Sequence, residues 1–310
     1  MEFTIERYET EIIETVLGNP TTIIVGETGS GKTTQVPRYL YKAGLAGDGR
    51  IGISEPRRIA AISAAEFIAD QMGCRVGEEV GFQIRFDDST TAGTRIKFMT
   101  DGILLQEARS DPLFSRYEVL IFDEAHERGL NTDFALGLAK RALALRGDLK
   151  VVVMSATLDT EKFSKFFGEA PIINVEGRIY PVEDRFITEQ EMGEARGHGI
   201  ENLAACTVGK IHRSGVPGDI LVFMPGEAEI HRVIRNLESL NLSGIKVLAA
   251  YGNMSSDQQR KIFERVDGRK VVVATNIAET SITIDGVVHV VDSGLIKESC
   301  FDPKTGIGTL

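Results

Sequence analysis

The sequence predicts a doubly wound α/β fold in two lobes, and three observations carry that expectation. Short β-branched runs alternate with helix-like stretches over 310 residues: Thr22–Val25, Ile51–Ser54, Ile96–Thr100, Val119–Phe122 and Val151–Met154, then Ile220–Phe223, Val247–Ala250, Val271–Ala274 and Val287–Val291. Such alternation implies βαβ units and parallel sheets. Runs such as Val151–Met154 and Val271–Ala274 are continuous rather than alternating, as in strands covered by helices on both faces. Finally, Ile187 to His198 is polar, with acids and glycines, and lies between the two groups of strands. The junction is therefore expected near Gly177 to Thr188, giving domains at residues 1–180 and 181–310.

Composition bounds what the lobes can do. At 42% hydrophobic residues the chain can bury ordinary cores. Its longest apolar runs are strand-sized, far short of the roughly 20 residues of a membrane helix. Met1 to Arg7 lacks the basic-then-apolar layout of a signal peptide. A soluble, cytoplasmic protein without a membrane partner is the expectation. The three cysteines are widely scattered, which argues against a disulfide framework, and the five histidines show no metal-ligand spacing. A net charge of −10 disfavours nucleic acid over the surface at large. Any nucleic-acid path must be local.

The run Gly26-Glu27-Thr28-Gly29-Ser30-Gly31-Lys32-Thr33, with Thr34 after it, follows the strand Thr22–Val25 and opens a helix-like stretch. In that context the GxxxxGK[ST] pattern is a phosphate loop. Glycines let backbone N–H groups converge on phosphate oxygens, Lys32 reaches the β and γ phosphates, and Thr33 offers a hydroxyl to Mg²⁺. Asp123-Glu124-Ala125-His126 ends the apolar strand Val119–Phe122, at the sheet edge where open parallel sheets meet their ligands. Asp123 suits the Mg²⁺-holding role, with Glu124 beside it to orient or deprotonate the attacking water.

The remaining motifs narrow the class. In order, Gly26–Thr33, Ser54-Glu55-Pro56-Arg57-Arg58, Thr100-Asp101-Gly102, Asp123–His126, Ser155-Ala156-Thr157 and Ala274-Thr275-Asn276-Ile277-Ala278-Glu279-Thr280-Ser281 resemble those of DEAH-box RNA helicases of superfamily 2. The resemblance covers nearly the whole chain and implies two RecA-like domains, the second incomplete. It implies ATP as substrate with Mg²⁺, held by Thr33, Asp123 and Glu124. Lys32, Asp123, Glu124 and His126 would be the catalytic set. Arg57, Arg58, Thr100, Asp101, Gly102 and Thr275 would line the path of single-stranded or partly duplex RNA. In similar helicases Ser155 and Thr157 link hydrolysis to strand movement, although small hydroxyls also cap the helix that follows. Ser281, Thr283 and Asp285 would face the nucleotide from the second lobe, or serve only as caps and turns.

Two departures from the family pattern stand out. The family grips adenine between an Arg on the helix after the Arg-Arg motif and a Phe of the second lobe. Here Phe67 occupies the first position and Phe263 fits the second. A Phe pair would stack any base, or Phe67 is simply core on an amphipathic helix. The Gln-Arg-x-Gly-Arg-x-Gly-Arg motif that supplies arginine fingers is absent, and Lys297 to Leu310 resembles the hairpin that precedes it, with a turn at residues 302–306. The chain is expected to stop inside the second sheet. An arginine finger contributes about 10³–10⁵ in rate, so a second chain or a C-terminal segment would have to supply it. The two expectations are an RNA-stimulated ATPase, or a truncated module that holds nucleotide and strand with little turnover. A DNA-directed helicase is the further alternative.

Overall fold

The computed structural model describes residues 3–156, 160–177, 181–188, 199–252, 254, 258, 261–278, 284–297, 300–302 and 307–309. The chain divides into two compact units, Met1–Tyr180 and Pro181–Leu310. Among the described residues no helix is long and apolar enough to cross a membrane.

The first unit is built on an eight-stranded sheet. Its strands are β1 (Thr21–Gly26), β2 (Arg50–Glu55), β3 (Val80–Ile84), β4 (Asp87–Ser89), β5 (Ile96–Thr100), β6 (Tyr117–Phe122), β7 (Lys150–Ser155) and β8 (Ile172–Val175). They lie in the order β4-β3-β5-β2-β6-β7-β1-β8. All pairs are parallel except the short hairpin β3–β4. That hairpin departs from the purely parallel expectation. Its second strand is three polar residues long, too short and polar to register as a strand run.

Residue alternation explains why helices sit on both faces. Ile24, Ile53, Ile121, Val152 and Met154 point to one side, where they meet α1 (Glu9–Gly18), α2 (Lys32–Lys42) and α3 (Arg58–Met72). Ile23, Val25, Leu120, Phe122, Val151 and Val153 point to the other, against α4 (Asp101–Ser110) and α5 (Leu130–Leu145). A strand buried on both faces has no polar position to spare, hence the unbroken apolar runs. In α3 the buried residues include Ala60, Ala61, Ala64, Ala65 and Ala69, small enough for close approach to the sheet. Gly73 at φ 69 ends the helix.

The second unit has a four-stranded parallel sheet in the order β10-β11-β9-β12, with β9 at Asp219–Phe223, β10 at Ile245–Ala250, β11 at Arg269–Ala274 and β12 at Val287–Asp292. Two helices, α7 (Gly199–Arg213) and α8 (Glu227–Ser239), follow the short α6 (Glu161–Phe166) of the first unit. They cover one face through Ala204, Val208, Ile230, Val233 and Leu237. The edge strand β12 breaks the expectation of two covered faces, because Val288 and Val290 are 67% and 59% exposed. The terminal hairpin, β13 (Cys300–Asp302) antiparallel to β14 (Ile307–Thr309), forms a sheet of its own rather than ending within the larger one. Its expected turn falls largely outside the described residues.

Candidate active site

The strand order of the first unit assembles the site. β1 and β6 flank β7, so the loop after β1 and the acids after β6 converge on the Ser155 end of β7, while β2 brings Glu55 alongside Asp123. Strands consecutive in sequence would not achieve this. The crossover places residues far apart in the chain at one sheet edge.

The phosphate loop takes the shape its glycines permit. Gly29 and Gly31 adopt φ 82 and φ 95, the left-handed region that disfavours side chains. Gly26 is constrained differently. A Cβ there would stand 3.0 Å from Val175 Cβ and 3.3 Å from Ser30 Oγ. Gly31 caps α2, so Lys32 begins the helix, with Thr33 and Thr34 in its first turn. The buried Lys32 ammonium donates to the Gly26 and Glu27 carbonyls and lies 3.4 Å from Ser30 Oγ. Burial lowers its pKa, while the charges of Asp123, Glu124 and Glu27 oppose that shift.

Asp123 is the hub. Thr33 Oγ1 donates to Asp123 Oδ2 at 2.5 Å, and the Glu124 N–H donates to Asp123 Oδ1 at 2.8 Å. Glu124 adopts φ 48, which for a non-glycine residue marks a backbone held by its surroundings. Its carboxyl is pushed up to about 8, first by burial and then by the charge of Asp123. Its Oε2 is buried without a hydrogen-bond partner.

His126 ties this turn to β7. The Ala156 N–H donates to His126 Nδ1 at 3.3 Å, which puts the ring proton on Nε2. Glu124 Oε2 lies 3.4 Å from the same Nδ1. An ion pair there would need a protonated nitrogen, whereas burial lowers the His126 pKa and Ala156 already occupies the lone pair. The neutral ring is therefore the consistent assignment. Ser155, buried at the end of β7, precedes this link, and Thr157 lies outside the described residues.

Glu55 belongs to this site and was not singled out from the sequence. It is 1% exposed, its Oε2 has no hydrogen-bond partner, and burial followed by the Asp123 charge raises its pKa well above the carboxylate range. The available signal was an acid at the carboxyl end of a buried parallel strand. Which strand lay beside Asp123 was not readable.

The expected strand-binding residues scatter more. Arg58 and Gly102 are exposed, Thr100 is half-buried at the start of α4, and Arg57 pairs with Glu127 at 2.9 Å. Asp101 points inward instead: its carboxylate accepts from Ser54 Oγ at 2.6 Å and from Thr132 Oγ1. It fastens β2 and α5 to the head of α4. Phe67 is 40% exposed and edge-on to Phe3, with centroids 6.3 Å apart, so the core reading of Phe67 does not hold. In the second unit Thr275 is half-buried with its N–H on the Ala250 carbonyl, Phe263 is half-buried, and Asp285 is exposed. Ser281 and Thr283 lie outside the described residues.

A glycine loop with its lysine and threonine at a helix start, joined through a hydroxyl to the acid of a strand one removed in the sheet, defines a P-loop nucleotide-binding domain on a RecA-like sheet. The chain belongs to the DEAD/DEAH box helicases, the family whose model matches residues 6–166, and a helicase conserved C-terminal domain matches residues 202–304. It is 48% identical over 97% of its length to the pre-mRNA-splicing factor ATP-dependent RNA helicase prp22 of Schizosaccharomyces pombe, spanning 26% of that protein. It is 40% identical over 99% of its length to the human probable ATP-dependent RNA helicase DHX40, spanning 42% of it. The crystal structure of the Escherichia coli DEAH/RHA helicase HrpB superposes with a TM-score of 0.88 at 34% identity, covering 99% of this chain and 39% of that one. The chain thus spans well under half the length of these relatives.

Proposed function

We propose that this chain is the nucleotide-hydrolysing core of an ATP-dependent RNA helicase, using ATP and Mg²⁺ in the first unit to drive movement along or unwinding of RNA. The observation that carries this reading is the Thr33–Asp123–Glu124 constellation beside Lys32, because it joins both halves of a phosphate-transfer site through a direct hydrogen bond. Mg²⁺ fits the donor set. Thr33 and Asp123 are hard oxygen ligands already in contact, leaving the other positions to phosphate and water as this ion prefers. When bound, Mg²⁺ neutralises charge developing on the phosphates.

The chain's own residues then divide the work. Lys32 leaves its carbonyl partners for the phosphates, and the Gly31 end of α2 adds backbone N–H groups and the helix dipole. Glu124 orients and deprotonates the water. His126 and the Ser155-Ala156 backbone carry changes at Glu124 to β7. Arg57, Arg58, Thr100, Gly102 and Thr275 are proposed to hold the RNA backbone, and Phe263 to stack the base. Ser281, Thr283 and Asp285 are proposed as the second unit's contribution to the nucleotide. The arginines acting on the γ-phosphate are proposed to come from another segment or a second chain. Both relatives are RNA helicases by name, which favours RNA over DNA. A cytoplasmic location belongs to the same proposal.

ATP hydrolysis measured with and without poly(U) RNA tests the reading, alongside anisotropy of a labelled RNA. Stimulation by RNA and not by DNA is the expected outcome. A chain that binds both ligands and hydrolyses nothing would leave only the binding module.

A further inference from the structure

The first arginine of the expected RNA track is engaged by the loop that carries the catalytic acid. Arg57 Nη2 lies 2.9 Å from Glu127 Oε1, with the two side chains 18% and 24% exposed. Glu127 shares a single 3₁₀ turn, Ala125–Glu127, with His126, and its N–H donates to the Glu124 carbonyl at 2.9 Å. The turn is bracketed by Glu124 at φ 48 and Arg128 at φ 52. Neither residue favours that conformation, so the turn depends on contacts such as this one. The other cation of the turn, Arg128, is bound to Asp133 by paired hydrogen bonds at 2.9 Å.

We propose that Glu127 is a positioning residue that competes with RNA phosphate for Arg57, so that a strand taking the guanidinium loosens the turn holding Glu124. The inference rests on the RNA-helicase reading above and deepens it. A guanidinium fork matches carboxylate and phosphate alike, so both anions seek the same donors. Arg57 starts the segment leading into α3 while Glu127 hangs from the end of β6, so the pair joins the strand track to the hydrolytic loop across adjacent strands. Partial burial protects it from the screening that makes surface pairs negligible. Coupling of this kind needs one group with two exclusive partners, each belonging to a different ligand's site.

The alternative is that the pair only staples the turn to β2. Binding of a fluorescein-labelled U12 RNA to the 310-residue chain separates the two. Glu127→Gln removes the competitor and is expected to tighten RNA binding roughly three- to tenfold, a factor in keeping with loss of one partly buried ion pair. It should also shift the RNA-independent ATPase rate toward the RNA-bound value and shrink the response of that rate to RNA. Arg57→Gln should weaken binding, and adding Glu127→Gln to it should then change nothing. Equal tightening in the Arg57→Gln background would reveal simple removal of a negative charge and overturn the proposal, as would unchanged or weakened binding by Glu127→Gln. Glu127→Asp, which keeps a carboxylate, should return affinity toward wild type. Should the Gln variant fail to fold, Glu127→Ala, alone and combined with Arg57→Gln, carries the same comparison, and a Glu127→Ala affinity no tighter than wild type would refute competition. Failure of the RNA reading itself would show separately, as wild-type protein that binds no RNA.

Discussion

The two units share a parallel-sheet architecture but spend it differently. In the first, the sheet is covered on both faces, and its carboxyl edge is locked by side-chain bonds that cross between strands: Thr33 to Asp123, Ala156 to His126, Ser54 to Asp101. In the second, the central strands are also buried on both faces, Leu221 and Val272 included, but the edge strand β12 leaves Val288 and Val290 in solvent, and Thr275 and Asp285 sit near strand ends without a comparable buried network among the described residues. The lesson concerns preorganisation. Groups that must meet a phosphate with fixed geometry are held by buried partners, whereas groups that only complete a site tolerate looser support.

The largest effect should come from breaking the locked edge. Glu124→Gln is expected to lower ATP hydrolysis by about 10²–10⁴ while leaving ATP affinity nearly unchanged, because it removes the proton acceptor and keeps the shape. Single-turnover hydrolysis with parallel calorimetric titration of ATP checks both halves; retained hydrolysis would remove Glu124 from its role. Lys32→Ala comes next. Loss of a charge-assisted contact to phosphate should weaken ATP binding by about 10–100-fold, read by the same titration.

Matched substitutions sharpen the packing contrast. Val152→Ala, in a strand buried on both faces, should cost about 2 kcal/mol from lost burial and the cavity left behind. Val290→Ala on the open edge strand should stay within about 0.5 kcal/mol. Urea unfolding followed by circular dichroism measures both, and equal costs would erase the contrast.

The smallest effect is a pH slope. In the folded chain the Glu124 carboxyl titrates near 8 rather than at 4.5, chiefly because it is buried. A raised pKa means the folded state holds the proton longer than the unfolded state does. Its contribution to stability is therefore complete below pH 4.5 and is lost as pH rises through about 8. Melting temperatures of nucleotide-free Glu124→Gln across this window should fall less steeply than those of the wild type.

Much of this was legible in the sequence because the signals were local. A phosphate loop needs its glycines, lysine and threonine within one turn, and the Asp-Glu pair needs only an apolar strand before it. What escaped reading was lateral. That Glu55 stands against Asp123, that Arg57 reaches Glu127, and that Asp101 turns inward to Ser54 all depend on which strands became neighbours, a choice fixed by the packing of both faces. β12 misled for a related reason: Val-Val-His-Val-Val is apolar but for His289 as text, and only its place at the sheet edge exposes alternate residues.

The contact between Gly26 and Val175 carries a last implication. The first residue of the phosphate loop is denied a side chain by the final strand of its unit, with Val175 Cβ 3.0 Å from where one would begin. The two positions behave as a single steric allotment divided between distant parts of the chain. A larger residue at 175 would press on the phosphate loop as surely as a substitution within it, so variation at this remote strand should register as altered nucleotide affinity before it registers as altered stability.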